Sequence, residues 1–416
     1  MTLETQRVVV VGAGQAGIAL CAKLRNLGHT GPITLIGVEP APPYQRPPLS
    51  KAYALGEMDA ERLYLRPEEF YEQHKIDLRV STRVTEIDRA ARSIETDNGD
   101  TIGYDSLVLA TGAPPRRLPA AIGGDLDGVL CIRTLEDADR FAGYLGSAKN
   151  VLIVGGGYIG LEAAAVAAKK GLKVTLIEAA PRILGRVACA ETADYIRHLH
   201  TSHGVDIREG TGLERLTGTD GKVSHATLGN GDVIEADFVV VGIGVTPETM
   251  LAETSGITLD NGIAVDELSR TSDPSISAIG DCASFPYRGD RIRLESVGNA
   301  IAQAEATAAA IMGNETPYVA KPWFWSDQYD VKLQIAGLGT GHDLIVERAT
   351  DEKVKSFWYF RGDKLVAIDA MNAPRDYMMA KRWIENGQSP RPDDIRDPDA
   401  VLKSLAVTAN GSSGSA

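Results

Sequence analysis

The clearest fold signal of this chain is the stretch VLIVGGGYIGLEAAAVAAKKGLKVTLIE at residues 151–178. A similar pattern occurs earlier, at residues 8–39, which read VVVVGAGQAGIALCAKLRNLGHTGPITLIGVE. Each stretch opens with an apolar, β-branched run typical of a buried parallel strand. A glycine turn, a helix rich in small residues and a second apolar run follow, and the second run leads into a carboxylate. Each stretch therefore predicts a strand–helix–strand unit of a parallel sheet.

The first unit carries glycines at the spacing that binds a dinucleotide. Gly12 and Gly14 allow a tight turn in which the backbone approaches a pyrophosphate at the N-terminus of the following helix, and Gly17 lets helix and strand pack closely. Glu39, at the end of the second strand, is placed to accept hydrogen bonds from a ribose. The alternative is a glycine turn without any ligand, because such motifs also serve packing alone.

The second unit repeats this arrangement with Gly155, Gly157, Gly160 and the acid Glu178. A strand before, a helix after and an acid at the right distance occur in both copies, and this shared context favours two bound dinucleotides over two structural turns. A chain that holds two dinucleotides is expected to move electrons between them.

Composition is that of an ordinary globular protein. The 416 residues exceed the size of one hydrophobic core, so two or three domains are expected. A net charge of −13 disfavours nucleic acid and anionic membranes as partners, since both require a basic surface. The sequence has neither a membrane-spanning apolar run nor a secretory signal pattern, and we expect a cytoplasmic protein.

The cysteines are scattered singly rather than in pairs. No C-x-x-C motif occurs, so neither a metal site nor a redox disulfide is predicted, and buried apolar roles are the simpler interpretation. The four positions are Cys21, Cys131, Cys189 and Cys282.

The segments between and after the two units also carry structural signals. YQRPPLSK at residues 44–51 is a proline-stiffened loop, and strands are expected to break at Thr111 and again near Gly244. TSDPSISAIGDCA at residues 271–283 predicts a third strand and turn that presents Asp281. A helix is expected within 295–313, and an antiparallel sheet with a following helix from residue 321 onward.

Together these motifs resemble the FAD-dependent NADH:ferredoxin reductases of the putidaredoxin reductase-like type, which serve bacterial cytochrome P450 and ring-dioxygenase systems. GAGQAG, YQRPPLSK, ATG, GGGYIGLE and PWFWSDQ carry the resemblance over almost the whole chain. It implies an α/β fold of the glutathione reductase-like class, with two Rossmann-like dinucleotide-binding domains and a C-terminal α+β domain. The implied boundaries are 1–112 with 245–320 for a discontinuous FAD domain, 113–244 for the NAD domain and 321–404 for the C-terminal domain, and we expect 405–416 to be a disordered tail.

The resemblance implies FAD contacts from several parts of the chain. Many relatives carry an acid immediately after the glycine, where this chain has Gly37–Val38. The resemblance therefore implies that Glu39, one residue later, binds the ribose alone. The implied FAD-binding residues are Gly12, Gly14, Ala16, Gly17, Glu39, Arg46, Lys51, Val84, Thr111, Arg133, Asp281 and Val297.

Cofactor preference follows from Glu178, which would bind both ribose hydroxyls of NADH and repel the 2′-phosphate of NADPH. Arg182 and Arg186 follow closely, and either would soften this preference or neutralise the pyrophosphate. The implied NAD-binding residues are Gly155, Gly157, Ile159, Gly160, Glu178, Arg186 and Gly244.

The implied catalytic residues are Lys51, Glu162 and Trp325. Lys51 and Glu162 are expected to pair at the flavin and tune its electronics, while hydride passes directly from NADH to the flavin. Disulfide reductases of this fold pass the electrons to a pair of cysteines in the loop that here reads YQRPPLSK. Because this loop contains no cysteine, the expected acceptor is instead an external [2Fe–2S] ferredoxin.

Docking of an acidic ferredoxin on an acidic enzyme requires local attraction, because charges farther apart than ~8 Å are screened at physiological salt. The candidate docking residues are Arg66, Arg293, Lys332, Lys381 and Arg382, whereas Glu305 replaces a basic residue of some relatives. A rubredoxin or monodehydroascorbate reductase and a flavoprotein like the apoptosis-inducing factors remain alternatives. We expect a monomer or weak dimer without a metal.

Overall fold

The computed structural model describes residues 2–409, and the chain divides into two compact units. The first comprises Met1–Pro48, Glu57–Pro114 and Val245–Ala320; the second comprises Leu49–Gly56, Pro115–Gly244 and Lys321–Ala416. The two units separate the two glycine motifs. The segment Leu49–Gly56 lies in the predicted FAD domain by sequence but groups with the second unit. The predicted NAD and C-terminal domains also belong to the second unit.

The first unit is built on a five-stranded parallel sheet. Its strand order is Ile276–Ala278, Ser106–Leu109, Val8–Val11, Ile33–Ile36 and Ile76–Arg79. The first strand in sequence lies in the middle, and the chain winds outward from it in both directions. This is the doubly wound order. Sheets with this order bind ligands at the carboxyl ends of the strands, at the point where the winding reverses.

Both faces of this sheet are covered, which explains the uninterrupted valine run. Val8 and Val10 pack in the cluster that holds the helices Gln15–Asn26 and Val297–Ile311, while Val9 and Val11 pack in a second cluster on the other face. A strand buried on both faces has no polar side to alternate with its apolar one.

The remaining elements of the first unit complete its covering layers. Two three-stranded sheets are formed by Val84–Asp88, Ser93–Thr96 and Thr101–Gly103, and by Ile263–Ala264, Ala283–Tyr287 and Asp290–Ile292. Further helices are Glu68–Gln73 and Met250–Thr254, with 3₁₀ turns at Leu3–Thr5, Ala60–Leu63 and Gly280–Cys282. A further 3₁₀ turn, Pro47–Ser50, begins in the first unit and ends in the second.

The second unit contains a parallel sheet of the same kind. Its order is Asp206–Glu209, Lys173–Glu178, Asn150–Val154, Phe238–Val241 and Val129–Leu130. The helices Leu135–Ser147, Tyr158–Lys169 and Ala190–Ser202 accompany it, with a 3₁₀ turn at Ala120–Ile122 and an antiparallel sheet of Leu213–Thr219, Lys222–Leu228 and Val233–Glu235.

The C-terminal part of the second unit is an antiparallel sheet followed by helices, as the alternating pattern predicts. The sheet order is Trp323–Gln328, Val331–Gly337, Lys364–Met371, Lys355–Arg361 and Leu344–Ala349. The helices Pro374–Glu385 and Pro392–Arg396 and a 3₁₀ turn at Leu402–Ser404 follow.

The tail corrects one expectation. Val407–Ala409 forms a strand that pairs antiparallel with Gln388–Pro390, so the predicted disordered segment 405–416 begins with ordered residues. Backbone hydrogen bonds to a neighbouring strand order this stretch, whatever its small side chains favour. The rest of the predicted tail, 410–416, lies outside the described residues.

Candidate functional site

The turn after the first strand can be made only by glycine. Gly12 has φ +118°, and a Cβ at this position would lie 2.1 Å from the carbonyl oxygen of Ala110 at the end of the adjacent strand. A Cβ at Gly17 would lie 2.1 Å from the carbonyl oxygen of Gly12. Helix and strand are therefore pressed together at the point where the winding of the sheet reverses.

The N-terminus of the first helix is left open for an anion. Gly14 occupies the N-cap, no side chain of the described chain caps it, and a Cβ built there would have no described heavy atom within 4 Å. Uncapped amides at a helix N-terminus favour negative charge. These residues therefore fit the pyrophosphate of FAD.

The acid of the first unit is held by the proline loop. Glu39 Oε1 accepts from Arg46 Nη2 at 2.6 Å, and Oε2 accepts from the Tyr44 hydroxyl, which lies 3.0 Å from Arg46 Nη1. Each carboxylate oxygen keeps a further lone pair for a ribose hydroxyl. A Cβ at Gly37 would lie 2.6 Å from the Cβ of Ala13, so a larger residue at this position would displace the first glycine turn.

Asp281 lies in the 3₁₀ turn Gly280–Cys282, which follows the strand Ile276–Ala278 and packs beside the first helix. Gly280 has φ +74°, and a Cβ there would meet the Cβ atoms of Ala16 at 3.2 Å and Ala300 at 3.9 Å. The Gly280 amide donates to the buried side chain of Gln303 at 2.9 Å. The turn that carries Asp281 is thus fixed between the helices Gln15–Asn26 and Val297–Ile311.

The other predicted FAD residues of the first unit differ in accessibility. Thr111 Oγ1 donates to the carbonyl of Glu248 at 2.7 Å and lies next to the first glycine turn. Val297 begins its helix, which is capped by Ser296. Val84 is buried in the core, so only its backbone is available to a cofactor. Arg133, in the second unit, donates its backbone amide to Asp137 at 3.0 Å.

The glycine turn of the second unit has the same kind of geometry as that of the first. Gly155 has φ +107°, and a Cβ there would lie 2.4 Å from the carbonyl oxygen of Gly242; one at Gly160 would lie 2.1 Å from that of Gly155. Gly157 is the N-cap of the helix Tyr158–Lys169 and, among the described residues, receives no side-chain cap. Ile159, in the first turn of this helix, is exposed. The turn fits the pyrophosphate of NADH.

Glu178 is fixed by two backbone amides of its own unit. Its Oε2 accepts from Gly156 at 2.7 Å and its Oε1 from Ala180 at 2.8 Å. Arg186 is exposed, and its Nη2 would lie 3.4 Å from a Cβ at Gly244. The two residues lie at the carboxyl edge of the parallel sheet, where a dinucleotide is expected.

Arg182 has a structural role. Its guanidinium donates to the carbonyls of Ala188 at 2.8 Å and Cys189 at 3.2 Å and so ties the loop that follows the second strand to itself. Arg186 is therefore the better candidate for modulating the cofactor preference.

The expected pair of Lys51 and Glu162 is formed within the second unit. Lys51 Nζ lies 2.8 Å from Glu162 Oε1. Ser50 Oγ donates to Oε2 at 2.7 Å, and Ser326 Oγ donates to Oε1 at 2.7 Å. Neither serine is among the predicted site residues, although Ser50 is adjacent to Lys51 and Ser326 is adjacent to Trp325.

Trp325 lies in the strand that carries Ser326. Its ring stacks on that of Trp323, with centroids 5.4 Å apart, and Phe324 on the opposite face contacts Tyr158 of the second glycine-motif helix. The alternation of the strand thus presents two tryptophans on one face.

Three comparisons place this geometry among known proteins. The sequence profile of the pyridine nucleotide-disulphide oxidoreductases matches residues 6–304, and that of the reductase C-terminal family matches 323–406. The chain belongs to the pyridine nucleotide-disulphide oxidoreductase family. It is 44% identical to a rhodocoxin reductase of Rhodococcus erythropolis over 403 residues, 96% of this chain and 94% of that protein.

Two further relatives agree. The chain is 40% identical to a putidaredoxin reductase of Pseudomonas putida over 417 residues, 98% of this chain and 99% of that protein. The crystal structure of the covalent putidaredoxin reductase–putidaredoxin complex superposes with a TM-score of 0.93 at 39% identity, covering 96% of this chain and 97% of that one. This family member is therefore an NADH-dependent oxidoreductase that uses FAD, and the predicted fold class is confirmed.

Despite the name of the family, the four cysteines of this oxidoreductase cannot act as a dithiol. All are buried and free. Burial raises the pKa of the Cys21 thiol to about 12 and that of Cys189 to about 11, and it also raises the pKa values of Cys131 and Cys282. Reactive cysteines need a lowered pKa and access.

The predicted docking cations are not equivalent. Arg293 is corrected: its side chain is only 11% exposed, pairs with Glu295 and donates to the Asp281 carbonyl at 3.1 Å, so it braces the Asp281 turn instead of offering a free charge. Lys381 pairs with Glu385. Arg66, Lys332 and Arg382 are exposed.

Two negative findings concern the described residues alone. Within residues 2–409, no group of three or more His, Cys, Asp or Glu side chains is arranged to hold a metal ion. The same residues include no helix with the length and hydropathy needed to cross a membrane.

Proposed function

We propose that this chain is the NADH-dependent reductase of a [2Fe–2S] ferredoxin that supplies electrons to a cytochrome P450 or a related oxygenase. The observation that carries the proposal is that all four cysteines are buried and unpaired, although the chain belongs to a family named for disulphide chemistry. Electrons that cannot pass to sulfur must leave for an external acceptor. The relatives named for rhodocoxin and putidaredoxin support a small iron–sulfur protein as that acceptor.

When bound, FAD accepts a hydride from NADH and releases its two electrons one at a time. In this proposal the first unit holds FAD: the turn at Gly12 and Gly14 binds its pyrophosphate, Glu39 its ribose, and Asp281 its ribityl or phosphate region. Arg46, already bonded to Glu39, fixes the orientation of that carboxylate.

The second unit binds NADH in the same proposal. The turn at Gly155 and Gly157 binds the pyrophosphate, and Glu178 binds the adenosine ribose. Because both oxygens of Glu178 are already oriented by backbone amides, the carboxylate is preorganised to accept from ribose hydroxyls and to repel a 2′-phosphate.

Lys51 and Glu162 are proposed to act on the flavin as one neutral pair. The ammonium supplies positive charge where reduction places negative charge, and Glu162 holds that ammonium at 2.8 Å. The remaining work of the protein is orientation of the two rings, and no side chain is required to transfer a proton during the hydride step.

Stopped-flow mixing with NADH under anaerobic conditions tests this function. Rapid loss of flavin absorbance, followed by reoxidation by a [2Fe–2S] ferredoxin, is the expected result. Reoxidation by rubredoxin or monodehydroascorbate but not by ferredoxin would identify another reductase. Slow reduction to a long-lived charge-transfer species would instead favour a flavoprotein like the apoptosis-inducing factors.

The setting is proposed on charge and thiol chemistry. Four free thiols are typical of a reducing compartment, and we propose the cytoplasm. A net charge of −13 opposes nucleic acid and anionic membranes as partners. We propose a monomer or weak dimer.

A further inference from the structure

Glu162 is one of the buried carboxylates of the second unit. It is 3% exposed, and a buried carboxylate is costly unless it is paired and fully hydrogen-bonded. Ser50 and Ser326 each donate to it at 2.7 Å, in addition to the ammonium of Lys51 at 2.8 Å. Three side-chain donors therefore fix the orientation of the Glu162 carboxylate.

One of these donors is itself held by a second layer of buried polar groups. Ser326 and Gln328 face inward on the strand Trp323–Gln328, and Gln328 Nε2 donates to Ser326 Oγ at 3.1 Å. His200, from the helix Ala190–Ser202, lies with its Nε2 2.7 Å from Gln328 Oε1. All three side chains are buried, so each bond is shielded from water.

The protonation of His200 gives this chain of bonds a direction. Burial lowers the pKa of His200 to about 4, so the imidazole is neutral at pH 7 and has one N–H. The amide oxygen of Gln328 only accepts, which puts that hydrogen on Nε2 and leaves Nδ1 to accept from the Tyr329 hydroxyl, 3.3 Å away. Every donor in the series points toward Glu162.

We propose that Ser326, Gln328 and His200 are positioning residues for the Lys51–Glu162 pair, acting in series through hydrogen bonds. Because Gln328 occupies an acceptor site of Ser326 Oγ, the single hydroxyl hydrogen of Ser326 is committed to Glu162. The orientation of that carboxylate then fixes the ammonium of Lys51. The inference rests on the proposed function, in which this pair acts on the flavin.

The test uses the FAD-loaded Ser326→Ala protein and measures the midpoint potential of the flavin together with its rate of reduction by NADH. A hydrogen bond to a charged group corresponds to roughly a ten- to hundredfold effect, and we expect reduction to slow by that factor. The potential is expected to become more negative, because a less well-held ammonium stabilises the reduced flavin less.

Ser356→Ala is the matched control. Ser356 is a fully buried serine of the same sheet whose hydroxyl donates to a carboxylate, that of Asp376, at 2.6 Å. Its replacement removes the same kind of bond, so it reproduces any general loss of stability. We expect the flavin potential and the reduction rate of this variant to match those of the parent.

Lys51→Met separates failure of the inference from failure of the function. If this variant changes potential and rate but Ser326→Ala changes neither, the positioning role is wrong and the function stands. If Lys51→Met changes neither, the pair has no role at the flavin, and the inference falls with it. Should Ser326→Ala not retain FAD, Gln328→Met, which keeps the volume and removes the donor, decides by the same two measurements.

Discussion

Glu178 accepts a hydrogen bond from the backbone amide of Gly156 at 2.7 Å, so the proposed ribose acceptor also holds the glycine turn of its own unit. Glu178→Gln is predicted to lower the ratio of kcat/KM with NADH to kcat/KM with NADPH by about tenfold or more, because the repulsion of a 2′-phosphate is lost. Steady-state kinetics with both cofactors measures this ratio. Glu209→Gln is the control. Glu209 lies opposite Glu178 on the neighbouring strand, and its carboxylate also accepts a hydrogen bond from a backbone amide, that of Ile183, at 2.8 Å. An unchanged ratio in Glu178→Gln would contradict the assignment.

Asp281→Ala is predicted to weaken FAD binding by about tenfold or more, since a charge-assisted hydrogen bond to the cofactor is lost. Titration of the apoprotein with FAD, followed by flavin fluorescence, gives the dissociation constant. Asp260→Ala removes an exposed acid of the same unit, 3.5 Å from Arg291, and should leave it unchanged. Full affinity in Asp281→Ala would sink the proposed contact.

A cysteine-free protein is predicted to reduce ferricyanide and ferredoxin at close to the parent rate, because electrons never rest on sulfur. The structure guides the design. Cys189 Sγ accepts from the Thr192 amide as a helix cap, so serine suits this site, whereas Cys21 lies in an apolar cluster and alanine suits it better. Loss of ferricyanide reduction in a folded, FAD-replete variant would restore the disulfide-type mechanism.

Charge reversal at exposed cations is predicted to affect the protein acceptor alone. Arg66→Glu or Arg382→Glu should raise the KM for ferredoxin several-fold and flatten its salt dependence, while ferricyanide reduction stays unchanged because a small acceptor does not dock. Lys381→Glu should have a smaller effect, since Glu385 already neutralises Lys381. Equal inhibition with both acceptors would argue for damage to the flavin site.

The buried His200 predicts acid-sensitive stability. Its pKa falls from 6.5 to about 4 on folding, so the unfolded chain binds the proton first as the pH drops. The free energy of unfolding should therefore decrease between about pH 6.5 and 4, by up to roughly 3 kcal/mol from this residue. Urea unfolding at several pH values measures the slope, and His200→Gln should make it shallower. An identical slope in the variant would show that His200 is not the titrating group.

Sequence analysis predicted features that depend on short stretches of chain. Gly12 and Gly155 can be identified from the sequence because a turn with positive φ at the end of a strand requires glycine. The turn at Asp281 can be identified because it directly follows a short strand. The residues proposed to position Glu162 cannot be identified from a local pattern, because they are far apart in the sequence. His200 and Gln328 are 128 positions apart, and Glu162 and Ser326 are 164 positions apart. Only the folded chain brings these partners together.

The assignment of Arg293 as a docking cation was wrong for a related reason. Arg293 looks like any surface cation in the sequence, but its guanidinium bonds the carbonyl of Asp281, and no local pattern marks a backbone acceptor. The tail strand Val407–Ala409 was missed because its stability comes from pairing with Gln388–Pro390 and not from its own residues.

The alternation of the two units along the chain constrains how the protein is made. The polypeptide passes from one unit to the other five times, so no single cut in the gene separates them. The first sheet has Val8–Val11 at its centre and Ile276–Ala278 at its edge. A ribosome needs on the order of tens of seconds to travel between those strands. Once Ser106–Leu109 has been made, its outer edge lacks a partner strand until Ile276–Ala278 is synthesised, and an unpaired edge of this kind invites aggregation unless a chaperone covers it.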